Sequence, residues 1–162
     1  MNAVKSIIFL ILVSGFASIY APIFLLTEGE RILPGWLPYS AIPFWLVGAS
    51  IILWCFWTFT FYGQGTPAPI DPPKKLVAIG LYRYVRNPIY IGVLLILIGH
   101  VAWFGRINLV IYLVAVFLAF HLFVLLYEEP TLKKKFGKPY EEYFKKVPRW
   151  LPRFPQEKSR NG

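Results

Sequence analysis

Residues 107–127 read INLVIYLVAVFLAFHLFVLLY, with no Asp, Glu, Lys or Arg in the whole run. About 20 largely apolar residues is the length at which a helix crosses the ~30 Å hydrocarbon core of a bilayer. A surface helix of a soluble domain would carry a polar face at a period of about 3.6 residues. This stretch shows none, so it decides for a membrane span.

Upstream, apolar character runs from Ile89 to Phe104, short for a full span, and only Gly105 and Arg106 separate it from the first stretch. Two residues permit only a tight turn, which predicts an antiparallel hairpin. From Ile32 to Ile70 there is no Asp, Glu, Lys, Arg or His, and about Tyr39 to Phe61 is predicted to span. Pro43 falls in its first turn, where a missing N–H is tolerated. Residues 6–26, SIIFLILVSGFASIYAPIFLL, form the remaining apolar block. It exceeds the ~7–15 residues of a signal-peptide core and is predicted to be a retained helix. The fold expected is therefore all-α: an integral membrane protein of about four transmembrane helices, followed by a C-terminal interfacial amphipathic helix. Composition agrees, with 57% hydrophobic and 15% charged residues against about 25% charged in soluble domains.

Two breaks organise the chain. TEGERILPG, Thr27 to Gly35, is a turn rich in charge, Gly and Pro. YGQGTPAPIDPPKK, Tyr62 to Lys75, holds four prolines and two glycines, which exclude a helix. A linker this long is more often functional or disordered than incidental. Residues 1–62 are thus expected to form an N-terminal transmembrane hairpin. Residues 63–162 are expected to comprise the linker, a transmembrane hairpin over 88–127 and the tail. No internal repeat is visible, and the GQG at Gly63 to Gly65 reads as a turn, being too short for a phosphate loop.

The formal charge is +9, and ten of the seventeen Lys and Arg lie at or after Lys133. Counting Lys and Arg in the connections places both termini and the second loop in the cytosol. The basic tail then faces membrane lipids; no nucleic-acid reading module accompanies it. Cys55, the single cysteine, falls in an apolar block. It excludes an intrachain disulfide and a Cys-based metal cluster, and reads as a small buried hydrophobe before it reads as a catalytic thiol. No metal is expected.

Three polar clusters fall on the expected cytosolic face. In LVAIGLYRYVRNPIYIG, Leu76 to Gly92, Gly80 permits a tight turn, Pro88 opens a helix and Asn87 is placed to cap it. Tyr82, Tyr84 and Tyr90 with Arg83 and Arg86 read equally as an interfacial belt. Glu128 and Glu129 are adjacent carboxylates at the expected end of the last span, opposing the macrodipole and repelling each other. Solvation among Lys133, Lys134 and Lys135 is one account of them; holding a bound cation or hydroxyls is the other. FGKPYEEYFKKVPRWLP, Phe136 to Pro152, reads as a short amphipathic helix that serves either as an interfacial anchor or as a lid.

The order LVxxGxYRYVRNPxYxG, one apolar helix, then EExxLxxxFGxxYxxYxxxVPRxxP resembles the isoprenylcysteine carboxyl methyltransferase family and its phospholipid N-methyltransferase relatives, from about Gly65 to Pro152. What the resemblance implies is a membrane methyltransferase using S-adenosylmethionine. Its cofactor contacts would fall on Lys74, Lys75, Leu76 and Val77, on Tyr82, on Asn87, Pro88, Ile89 and Tyr90, and on Glu128, with Glu129 beside it. A sulfonium suits aromatic faces, and a carboxylate suits the cofactor's ammonium or ribose. Asn87 stands where many members have His, and Val124 where the prenylcysteine enzymes have an Arg four residues before the first Glu. The match therefore supports the cofactor more strongly than a prenylcysteine carboxylate.

His100 and His121 lie within apolar helices, where ionisable groups are functional candidates or neutral partners of a neighbouring helix. His121, two turns before Glu128, is the first candidate for a proton acceptor, alongside Glu128 and Arg86 as catalytic candidates. The function expected is methyl transfer to a lipid or small hydrophobic acceptor, through a carboxylate, amine or thiol. A non-catalytic scaffold or lipid-binding protein retaining the fold is the alternative, and cofactor binding separates the two.

Overall fold

A computed structural model describes residues 10–25, 37–63 and 75–153. The turn of Thr27 to Gly35, Lys74 and most of the linker lie outside the described residues. Those described form helices and no strand: α1 (Leu10–Tyr20, continuing as Ala21–Leu25), α2 (Pro38–Tyr62), α3 (Pro88–Phe104), α4 (Ile107–Phe136) and α5 (Lys138–Lys146).

α2 and α4 are long and apolar enough to cross a membrane, with mean hydropathies of 1.8 and 2.9. Their most apolar windows are only 33% and 11% buried, whereas the core helix of a soluble protein is mostly buried. Trp54 and Trp57 on α2, and Ile111, Leu118 and Leu126 on α4, point outward. In water each such side chain would forgo roughly 1.5–3 kcal/mol of burial; in lipid it forgoes nothing. α3 and the Gly15–Leu25 part of α1 are shorter apolar helices.

Local sequence explains the ends. Pro88 opens α3 at its first turn, where its fixed φ suits the helix. Gly105 closes it at φ 63°, its N–H donating to Val101 O at 2.8 Å, so the tight turn before α4 forms as expected. Asn87 occupies the cap position but does not cap: its side chain makes no cap hydrogen bond, and Nδ2 donates instead to Arg149 O, 3.2 Å away in the tail.

The end of α4 differs from expectation. The helix does not stop near Tyr127 but runs to Phe136, widening over Val124–Glu128 into π-type winding. Pro130 supplies the reason. It has no N–H to give, and its ring crowds the carbonyl four residues back, so the turn before it swells and Glu129 N–H reaches Val124 O. Such bulges recur at functional sites. Glu128 and Glu129 therefore sit inside a helix rather than at its C-terminus, and the conflict with the macrodipole disappears.

α2 packs along α3 more extensively than any other pair of helices, around Ile52, Phe56, Val93 and Leu97. The close approach depends on glycines, as small residues allow in membranes. A Cβ on Gly92 would stand 2.9 Å from Gly48 O and 2.7 Å from Ile52 Cγ1. Gly92→Ala is expected to lower stability by about 1–3 kcal/mol through overpacking, read as a lower melting temperature in detergent. An unchanged melt would show that the helices lie farther apart.

Candidate active site

Tyr90, in the first turn of α3, donates its hydroxyl to Glu128 Oε2 at 2.9 Å and packs on Phe120 with ring centroids 4.6 Å apart. Among the described residues no Lys or Arg pairs with Glu128. The cavity it faces is walled by aromatic side chains, including Phe59, Tyr82, Phe123, Tyr127, Tyr140 and Tyr143. A carboxylate with no counter-ion among the described residues, in a cavity lined by aromatic rings, has the chemistry to accept an organic cation.

Glu129 turns another way. Arg86 Nη1 donates to Oε1 at 2.8 Å, while Arg149 donates Nε to Oε1 at 2.8 Å and Nη2 to Oε2 at 2.7 Å. The residue is 8% exposed, which sets aside for Glu129 the account of solvation among the tail lysines. Two arginines from distant segments converge on it because a bidentate fork matches a carboxylate. The Arg86 guanidinium also lies 4.0 Å over the Phe144 ring.

The remaining wall comes from residues 75–87. Gly80 turns at φ 57° and brings Tyr82 into the core, edge-on to Phe59 at 5.3 Å. Tyr143 on α5 donates its hydroxyl to Tyr82 O at 2.8 Å. Burial is the main force raising the phenols here: it pushes Tyr140 up to about 12, with the Glu129 charge adding to it, and lifts Tyr143 and Tyr82 well above their ordinary value. They are neutral near pH 7 and present ring faces and hydroxyl donors, not phenolates. The hydrogen bonds to Glu129 hold Arg149 above its usual value and keep it charged.

Of the residues singled out in the sequence, Leu76, Val77, Tyr82, Arg86, Asn87, Tyr90, Glu128 and Glu129 line this one cavity. Lys74 lies outside the described residues, and Lys75 is exposed. Ile89 packs with Cys55 and Val77 and borders a smaller adjoining recess. Pro88 faces a separate apolar groove beside Ile51. His121 does not line the cavity: Trp150 from the tail stacks on it and donates its indole N–H to Nδ1 at 3.1 Å. His100 is 2.7 Å from Ile96 O through Nδ1, and Trp45 of α2 brings its indole N–H to the same nitrogen at 3.2 Å, so it is bonded to a neighbouring helix. Among the described residues, no three His, Cys, Asp or Glu gather as metal ligands do.

Sequence reasoning missed Arg149 and Phe59. The first stood in the quoted VPR motif without a role; the second carried no signal, since it lies in the apolar run of α2.

Residues 37–139, more than half of the chain, match the family described as phospholipid methyltransferase. The chain belongs to the phospholipid methyltransferase family. The matched region begins with α2, includes Phe59 and both carboxylates, and ends at the start of α5. Membership places the protein among membrane methyltransferases and agrees with the apolar α2 and α4. No curated protein matches the chain.

Proposed function

We propose that the protein transfers a methyl group from S-adenosylmethionine to a phospholipid amine at the membrane surface. The observation that carries this is Glu128, a carboxylate hydrogen-bonded by Tyr90, without a cationic partner among the described residues and facing aromatic walls. When bound, S-adenosylmethionine supplies an electrophilic methyl on a sulfonium. The donor set suits it: Glu128 accepts from an ammonium or ribose hydroxyl, while Tyr90 and Tyr82 offer ring faces to positive charge.

The chain's own part is to bind, orient and dry the reactants. In-line displacement at a methyl needs little covalent help, so alignment and water exclusion carry the rate. Val124 is fully buried where prenylcysteine enzymes place an Arg, which favours an amine over a carboxylate acceptor. In this reading there are four crossings with both termini cytosolic, α5 rests at the interface, and residues 63–162 with α2 build the catalytic core.

Calorimetry of the purified protein with S-adenosylhomocysteine should show saturable binding. Labelled methyl transfer into a lipid extract should yield a product whose mass marks a methylated amine headgroup. A folded sample that binds no S-adenosylhomocysteine points instead to a scaffold that keeps the fold.

A further inference from the structure

The tail beyond α5 is tied down at many points. Arg86 N–H donates to Pro148 O at 2.9 Å and Arg153 N–H to Tyr84 O at 3.0 Å. Asn87 Nδ2 donates to Arg149 O, Arg149 forks onto Glu129, and Trp150 clasps His121 on α4. These bonds run to two places only, the 82–87 segment and α4. The tail residues themselves are absent from the cavity wall, but α5 beside them contributes Tyr140 and Tyr143 to it.

We infer that residues 147–153 form a strap latched by Arg149 on Glu129, and that these two are positioning residues which hold Tyr140 and Tyr143 against the cavity. This rests on the cofactor reading above. Among the strap's ties the Arg149 latch is a charge-assisted, bidentate contact from a half-buried arginine to a buried carboxylate, the strongest type present. Opening it leaves α5 held by the weaker neutral Tyr143 bond to Tyr82 O and the Phe144 ring under Arg86, so that α5 moves more readily from Glu128 and releases what the cavity holds. Glu129 therefore acts through the strap, while Glu128 acts on the ligand.

Arg149→Met tests this without leaving a bare charge, because Glu129 keeps Arg86 at 2.8 Å. Arg83, exposed and outside the network, supplies the control Arg83→Met. Limited proteolysis after Lys145 and Lys146 reads the strap in ligand-free protein, and chase of labelled S-adenosylhomocysteine reads its release. Arg149→Met should be cleaved faster and should release the ligand about 10- to 100-fold faster, with Arg83→Met like the wild type in both. Arg149→Lys should restore only part of the effect, since a point charge cannot bridge two oxygens. Unchanged cleavage overturns the latch. Faster cleavage with unchanged release reduces the strap to scaffolding and overturns the positioning role. If the wild type binds no S-adenosylhomocysteine, the cofactor reading and the positioning role fall together, and proteolysis alone decides the latch.

Discussion

Glu128→Gln is expected to weaken S-adenosylhomocysteine binding by about 10- to 150-fold while leaving the melting temperature almost unchanged. A hydrogen bond to a charged group contributes roughly 1.5–3 kcal/mol, and each 1.4 kcal/mol is a factor of ten in affinity. The substitution removes a cavity carboxylate that no arginine neutralises among the described residues, so an arriving ammonium loses its charge partner. Stability is spared because, among the described residues, Glu128 is bonded by Tyr90 alone, and a glutamine oxygen still accepts that hydroxyl. Dissociation constants from calorimetry, with melts of the same samples, provide the check. Wild-type affinity in the variant would remove Glu128 from the site.

Glu129→Gln should do the reverse and act first on folding. Its carboxylate neutralises Arg86 and Arg149 together, with side-chain exposures of 10% for Glu129 and 10% and 22% for the arginines. Breaking a buried pair by removing one partner costs about 3–5 kcal/mol because the remaining charges lose their compensation. In a chain of this size that corresponds to a fall of roughly 6–20 °C in the melting temperature. The amide also points N–H donors toward guanidinium donors. A variant that melts like the wild type yet loses ligand binding would exchange the roles of the two glutamates.

The two predictions separate neighbours that sequence reasoning had already set apart, but for a different reason. The family resemblance singled out Glu128 as a cofactor contact with Glu129 beside it; both line the cavity, and what separates them is the pair of arginines on Glu129. Solvation of Glu129 among the tail lysines did not hold, because it is paired with Arg86 and with Arg149, which lies twenty residues further on, where no local rule couples the two positions. His121 was misjudged for a similar reason. Its spacing from Glu128 along α4 was right for a shared cavity, but Trp150 returns from the tail and occupies that face.

The sequence by itself determined everything that depends on local chemistry and on counting. Uninterrupted apolar runs determined the helices, Pro88 and Gly105 determined the ends of α3, and two separated motifs supplied several of the residues that face one cavity. Only the tertiary structure decided the pairings. Pro130 swells α4 just before the carboxylates, Gly48 and Gly92 bring α2 close enough to α3 for Phe59 to join the wall, and the tail folds back to give Glu129 its second arginine. The last two depend on where distant segments meet, which is fixed by packing and by the need to neutralise a buried charge. One carboxylate is thereby committed to holding the fold, and its neighbour faces the cavity with no arginine on it among the described residues.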